Sequence, residues 1–373
     1  MAARCYTSRV QPRDGTTGSA SMNAAGSGAP RAAGASQASK IAVVVNGNAK
    51  SVTEGVISTL DQILEGGELF VSRRIEEADD IARTVIDRGY DTVLTGGGDG
   101  TFTVMVTAVV READRRGLPR PRFGLLRLGT GNSLAWVVGA SKAKGGGLAL
   151  DIERLRGDPA SRPLRLVEVE GVLSPFCGFG IDAVVLRDYG RTKAFLSRGP
   201  LARVAPGALS YVLACVTQSI PSYLLRPVPH VRVVNRGADA VRVGQRGTHA
   251  SRPIRSGETL YEGRARLVSA STIPFYGFGF RMFPFAEDRP DRMQLRISTI
   301  TATEFVAGFR NIWKGDYENP ETIFDYLVED VEVEVDPPTS FQIGGDVQGD
   351  RDRVRMRLTE EPIRLADFYS PPG

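Results

Sequence analysis

The sequence predicts an N-terminal α/β domain on a parallel sheet with glycine-rich loops, followed by a C-terminal antiparallel β-sandwich. Three observations carry this. Short apolar runs alternate with segments of helical period from Ile41 to about residue 160. Two glycine-rich turns follow strands in that region. After Pro163 the pattern becomes one of short strands with few helices between them. The expected organisation is a disordered tail over 1–40, an α/β domain over 41–163 and a β domain over 164–373, with the extreme C-terminus free to return to the first domain.

Residues 1–40 are rich in Ala, Gly and Ser, carry one acidic residue, Asp14, and show no hydrophobic period. Ile41-Ala42-Val43-Val44-Val45 suits a strand buried on both faces. Val52, Val56, Ile57, Leu60, Ile63 and Leu64 then recur at helical spacing, and Leu69-Phe70-Val71 reads as a second strand. Ile75, Ala78, Ile81, Ala82, Val85 and Ile86 mark a second amphipathic helix, with Gly89 placed to end it. Thr92 to Thr95 is a third strand, before a glycine turn and an apolar helix through Val110. Phe123 to Leu126 is a fourth, before a second glycine turn. Beyond Pro163, Leu166 to Glu170 alternates like a half-exposed strand. Val231–Val234, Ala265–Ala270, Met293–Ile300, Val331–Val335 and Val354–Leu358 are further strands, with helices near 207–219 and 302–312. The polar stretch 235–262 predicts a long loop or mobile hairpin.

Composition narrows the chemistry. Of the 373 residues 42% are hydrophobic and 24% charged, a balance that fits a soluble two-domain globular protein. No run of eighteen apolar residues occurs, so no transmembrane helix is expected, and the N-terminus lacks a signal-peptide core. Three cysteines, Cys5, Cys177 and Cys215, are too few and too odd in number for a disulfide framework and fit a reducing, cytoplasmic compartment. The two histidines, His230 and His249, have no partners at zinc-like spacing, which weighs against His-dependent hydrolysis or metal binding. Carboxylates and a hard metal ion are the tools that remain. The net charge of +4, without a Lys/Arg run or an aromatic-basic motif, predicts no nucleic-acid partner but is compatible with weak attraction to anionic lipid.

The first glycine turn, Gly96-Gly97-Gly98-Asp99-Gly100-Thr101, lies between a strand and a helix. Glycines let the backbone approach a ligand closely, and successive N–H groups with a helix N-terminus form a phosphate cradle. A carboxylate at Asp99 would repel phosphate unless Mg²⁺ lay between them; the alternative is a tight turn in which Asp99 caps a helix. The second turn, Leu128-Gly129-Thr130-Gly131-Asn132, holds the equivalent place one unit later. Neither a P-loop nor a convincing dinucleotide fingerprint is present.

At these residues the chain resembles the diacylglycerol kinase catalytic family, which includes sphingosine and ceramide kinases and bacterial soluble lipid kinases. The family's Gly-Gly-Asp-Gly-Thr element is Gly97 to Thr101, and its Gly-Thr-Gly-Asn element is Gly129 to Asn132. Its Gly-x-Gly-x-Asp-Ala step is Gly178 to Ala183. Its glycine-rich strand and Pro-x-Ala step are Gly277-Phe278-Gly279 and Pro284-Phe285-Ala286, with Asp291 beyond. The first element alone is shared with NAD kinases and phosphofructokinases; the four together are specific. The resemblance implies ATP and Mg²⁺ as cofactors, with γ-phosphoryl transfer to a lipid hydroxyl at a membrane surface. The nucleotide contacts it implies are Asn46, Thr95, Gly97, Gly98, Gly100, Thr101, Gly129, Thr130, Gly131 and Asn132. Asp99 would hold the nucleotide's metal and Asp346 would take the hydroxyl proton, while Asp291 would hold a structural Mg²⁺ or is a solvated turn carboxylate in the acidic loop with Glu287 and Asp288.

The chain departs from the family at several places. Asp-Gly-Glu becomes Gly344-Gly345-Asp346, Asn-Glu becomes Thr103-Val104, and Asn-Asp becomes Asn132-Ser133. Asn-Pro becomes Asn46-Gly47, and Asp-Gly becomes Asp291-Arg292. Other readings stay open. Asp182 either faces the cleft or satisfies backbone donors. The basic, apolar-studded segment from Arg187 to Arg203 is a membrane-facing surface or an ordinary solvated one. The helix near Tyr211 reads as core or acyl-pocket wall, and Trp136 and Trp313 as packing residues. Two rival functions remain: a soluble-substrate kinase of the NAD kinase type, and a non-catalytic nucleotide-binding member of the same fold. Oligomeric state is open, a homodimer included.

Overall fold

Runs of Val and Ile with no polar face cannot sit at a surface, and the first sheet buries them from both sides. A computed structural model describes residues 40–49, 51–64, 68–129, 132–142, 146–156, 160–180, 228–244, 247–248, 252–277 and 279–369. The expectations for the tail, for Thr130 and Gly131, for Asp182, for 187–203 and for a helix near 207–219 lie outside these residues.

The α/β half comprises β1 (Ile41–Asn46), α1 (Glu54–Ile63), β2 (Glu68–Ser72), α2 (Glu77–Asp87), β3 (Thr92–Gly97), α3 (Asp99–Arg116), β4 (Arg122–Arg127), α4 (Ser133–Val138), α5 (Gly147–Arg156) and β5 (Ser161–Leu164). The β half holds β6 (Val167–Val169), β7 (Val172–Ser174), β8 (Phe176–Gly180), β9 (His230–Asn235), β10 (Val241–Gly244), β11 (Gly247–Thr248) and β12 (Thr259–Arg264). It continues with β13 (Leu267–Ser271), β14 (Met293–Ser298), α6 (Ala302–Lys314), β15 (Ile323–Val328), β16 (Asp330–Ile343) and β17 (Asp346–Leu358). The last described strand is β18 (Ile363–Ala366).

The first sheet runs β2-β1-β3-β4-β18-β5, parallel except where β5 meets β18. Val43, Val44 and Val45 have no exposed surface; each such burial is worth about 1.5–3 kcal/mol. Thr53 caps α1, its hydroxyl accepting from the Val56 amide at 3.3 Å. Glu77, Asp79 and Asp80 face the positive end of α2. Gly117, at φ 65°, closes α3 in a left-handed conformation that Leu or Arg would not tolerate there. Ile75 is not on the buried face of α2 as its spacing suggests. It sits in the turn before the helix and is 73% exposed.

The β half is antiparallel, its strands joined in one network that folds over at β16. Residues 331–336 of β16 pair with β9, whereas 341–343 pair with β8. Pro337 and Pro338 lie between, where a strand that lacks two N–H groups can leave one partner and take another. Val331, Val333, Val335, Val354 and Met356 point inward, with Phe179 and Phe341 in contact at 4.7 Å between centroids. The outward residues pair as charges: Arg353 with Glu334, Arg355 with Asp330 and Arg357 with Glu168, at 2.6–2.9 Å. The polar stretch 235–262 is not a loop. It carries β10, paired to β15, and β12, paired to β9. β10 and β11 form a hairpin, and polar residues on the outward faces of these strands hide the period of two from a search for apolar runs. Helix α6 matches its expected span and starts with a Thr301/Glu304 capping box.

The two halves are sewn together twice. The chain passes out at 164–167 and back at 358–363, where the Thr359 amide donates to Leu166 O (2.9 Å) and the Leu166 amide to Thr359 Oγ1 (3.0 Å). Helix α3 also packs on β7, with Thr107 Oγ1 donating to Thr103 O (2.7 Å) and accepting from the Leu173 amide (2.9 Å).

Inside the β half, Arg296 makes a two-pronged pair with Asp325 (both 2.8 Å), and Gln294 Nε2 donates to the same carboxylate at 2.9 Å. Both charged side chains are under 10% exposed. Removing one partner strands the other in low dielectric. Asp325→Ala should therefore cost about 3–5 kcal/mol in urea unfolding, whereas a similar change at the exposed Arg353–Glu334 pair should cost under about 1 kcal/mol.

Candidate active site

In an open parallel sheet, ligands collect where neighbouring connections leave in opposite directions. In this strand order that point lies between β1 and β3. Asn46 ends β1, and Gly96-Gly97-Gly98 ends β3. The two are tied across the gap: Asn46 Nδ2 donates to Thr101 Oγ1 at 3.3 Å, while its Oδ1 accepts from the Asn48 amide at 2.9 Å. Gly97 lies directly over the Thr101 side chain, and any Cβ there would overlap the hydroxyl. Gly98 is extended and serves as N-cap to α3 without a side chain, so the first amides of that helix open toward the crevice. Thr95, one of the expected nucleotide contacts, is instead 2% exposed and donates its hydroxyl to Gly124 O at 3.3 Å. Its side chain belongs to the sheet.

The second turn is pressed onto the first. A Cβ on Gly129 would overlap Gly97 O and both Gly98 N and Gly98 Cα. Asn132 adopts a left-handed conformation at φ 45° and closes the turn on itself. Its Oδ1 accepts from the Gly129 amide at 3.2 Å, and its Nδ2 donates to Gly129 O.

Asp99 is the tie between the turns. Its Oδ2 accepts from the Ser133 amide at 2.9 Å and its Oδ1 from the Leu134 amide at 3.3 Å. It thus caps α4, not its own helix. Burial pushes this carboxyl up, and the Ser133 and Leu134 amides pull against that rise. Ser133 carries the connection onward, since its Oγ accepts from the Gly277 amide of the β half at 2.7 Å. Nothing in the sequence pattern marked Ser133 for that role beyond its being a small hydroxyl residue beside a glycine turn.

The β half brings its own carboxylate. Gly344 and Gly345, at φ 59° and 88°, form the two-residue turn that joins β16 to β17. Asp346 follows at the hairpin tip, so close to Gly100 that a Cβ on that glycine would overlap Asp346 Oδ2. Loss of hydration on this side raises the Asp346 pKa, and the neighbouring Asp99 charge raises it further. The two departures at Thr103 and Gly344 meet here. A Cβ on Gly344 would overlap Thr103 Oγ1, which is 3.3 Å from Ser174 Oγ.

The structure places Asp291 between two arginines. Its carboxylate accepts from Arg289 at 3.1 and 2.8 Å and from Arg292 at 2.7 Å. The Arg289 hydrogen bonds, with both guanidinium charges, hold its pKa low. Two guanidiniums there compete with any cation. Among the described residues no group of three or more His, Cys, Asp or Glu is assembled for a metal. No helix among them is long and apolar enough to cross a membrane.

Residues 40–159 match the family model described as diacylglycerol kinase catalytic domain. The chain is 33% identical over 138 residues to a Pseudomonas aeruginosa protein named "Probable lipid kinase YegS-like", a match covering 36% of this chain and 41% of that one. It is 31% identical over 100 residues to an Enterobacter sp. protein of the same name, covering 26% and 32%. The matches thus span less than half the length of these curated relatives. Among solved structures, a diacylglycerol kinase from Bacillus anthracis str. Sterne superposes with a TM-score of 0.58 at 14% identity, over 88% of this chain and 97% of that one. A second chain from that organism gives 0.61 at 15% over the same shares. Residues 40–159 are thus similar to the diacylglycerol kinase catalytic domain, and at such identities the likeness to the solved structures is one of fold.

The contact between the turns is the tightest constraint in the site. Gly129→Ala should push the second turn off the first and destabilise the fold by about 1–3 kcal/mol in urea unfolding. It should also lower the melting temperature, since a Cβ at that spot meets backbone and not a movable side chain.

Proposed function

We propose that this protein is a Mg²⁺-ATP-dependent kinase of the diacylglycerol kinase catalytic family, transferring the γ-phosphoryl group to a lipid hydroxyl at a membrane surface. One observation carries the reading: the β hairpin delivers Asp346 to Gly100, at the head of α3 and beside Asp99. A carboxylate whose pKa is raised by its surroundings thus stands beside the first glycine turn.

The amides at Gly98–Thr101 would grip the nucleotide phosphates, helped by the positive end of α3, with Gly129 packed against them. The lipid hydroxyl oxygen attacks the γ-phosphorus, and the bond from that phosphorus to the β–γ bridging oxygen breaks, releasing ADP. Asp346 accepts the hydroxyl proton. Such transfer depends on positioning and charge neutralisation more than on covalent chemistry. Mg²⁺ suits the donor set, since it is commonly held by one or two carboxylates plus phosphate oxygens. When bound it would neutralise developing phosphate charge. Asp99 still has lone pairs beyond those that hold α4, and these are what the chain offers such an ion. The acyl chains would lie against the β half.

Transfer of labelled γ-phosphate from ATP to a mixed lipid extract in detergent micelles tests this directly. A labelled lipid that requires Mg²⁺ supports it. ATP binding without any labelled lipid would turn the case to a non-catalytic nucleotide binder.

Two variants follow from the geometry. Asp346→Asn should lower kcat by about 10²–10⁴-fold with ATP affinity retained. Because the base acts ionised, kcat/KM should rise with pH through the Asp346 pKa. With that pKa raised in the free protein, the midpoint should lie above the ordinary aspartate value of about 3.8. Gly100→Ala tests the same contact from the other side. Position 100 is helical, where Ala is favoured over Gly by roughly 1 kcal/mol. Stability should therefore hold while the added methyl displaces Asp346 and turnover falls.

A further inference from the structure

Arg127 is the last residue of β4, paired in register with Gly97 and two residues before Gly129. It therefore stands at the root of both glycine turns. Its guanidinium lies on the ring of Trp136, 4.6 Å from the centroid. Among the described residues no carboxylate pairs with it, whereas Arg296, Arg355 and Arg357 are all matched to acids. It is only half exposed.

A guanidinium cannot discharge itself by losing a proton, and an aromatic face satisfies its π surface but none of its five N–H donors. Stacking fixes the plane and leaves the edge free. A second donor lies beside it: Trp136 Nε1 is buried and has no acceptor among the described residues. The platform itself is firmly seated. Tyr369 Oη donates to Trp136 O at 3.1 Å, Phe275 lies 6.2 Å from the Trp136 ring, and Ser133 at the start of α4 holds Gly277. A planar cation with an open edge, clamped beside the head of α3 where the first amides of that helix have no side-chain cap, suits an oxyanion with more than one oxygen to give.

We propose that Arg127, laid flat by Trp136, is a phosphate-binding residue of this cleft. It takes a phosphate oxyanion that comes either with the nucleotide or with a phosphorylated lipid headgroup. The proposal rests on the kinase reading only for the identity of that phosphate. An arginine so placed recognises phosphate geometry two oxygens at a time, which a lysine cannot do.

The sequence has two tryptophans, so a full-length Trp313→Phe chain makes Trp136 the sole reporter. Its emission should shift on adding tripolyphosphate or Mg²⁺-ATP and not adenosine if the phosphate is the nucleotide's. It should shift with micelles of phosphatidic acid and not diacylglycerol if the phosphate is the lipid's. Calorimetry on Arg127→Met should show affinity for the responding probe reduced about tenfold or more, the loss of a charge-assisted pair. Arg127→Lys should recover only part of it. Unchanged affinity for all four phosphate and lipid probes in a folded Arg127→Met chain overturns the proposal. If that variant does not fold, Arg127→Lys decides: wild-type affinity there overturns the proposal, and weakened affinity upholds it. A protein that transfers no phosphate to lipid, yet whose phosphate affinity still depends on Arg127, sinks the kinase reading and leaves this one standing.

Discussion

Everything at the cleft depends on two strand-ending turns lying in backbone contact. Gly129 rests on Gly97 and Gly98 with no room for a single carbon between them. That contact can only persist if something holds α4 at a fixed height over α3, and Asp99 does so through the Ser133 and Leu134 amides. The helix N-terminus that Asp99 caps supplies partial positive charge, which makes the burial of a carboxylate tolerable. Ser133 then passes the constraint to Gly277, so the position of the β half is set by the same carboxylate. Loss of Asp99 would loosen one turn, one helix and one loop together.

The long hairpin is the other half of the arrangement. A strand of fourteen residues can reach from the body of the β half to the first sheet because it changes partners midway, at Pro337 and Pro338. Its tip needs two residues in left-handed conformation, which Gly344 and Gly345 supply at little cost. Asp346 is shorter than glutamate by one methylene, yet it touches α3 because Gly100 presents bare backbone there. Thr103 and Gly344, which look like two separate departures in the sequence, fill one space.

The parallel strands were legible because Ile41 to Val45 and Phe123 to Leu126 have no polar face, and the glycine turns because nothing else ends a strand with three glycines. Asn46, at the end of β1, and Thr101, in the first turn of α3, were singled out by the family resemblance, and the structure ties the two together. What the sequence hid was non-local. Asp99 caps a helix thirty-four residues further on, and no local pattern announces such a bond. Thr95 sits at a strand end like the others, but the alternation of the strand sends its side chain into the sheet. Asp291 stands beside two arginines in the sequence itself. Only the structure shows their side chains closing on it. The strands β10 and β12 were missed because Arg, Glu and Thr on an outward face mask their alternation.

Strand β18 carries a consequence for how the protein comes into being. It inserts between β4 and β5, so that Leu365 lies beside Phe123 although 242 residues separate them. Until residue 366 has left the ribosome, β4 has an open edge and β5 has no partner in the first sheet. At a synthesis rate of about 5–20 residues per second, that edge is exposed for roughly 10–50 seconds after β4 emerges. The α/β half, though written first, is thus finished last. A nascent chain of this design is a natural client for whatever guards unpaired strands in the cell.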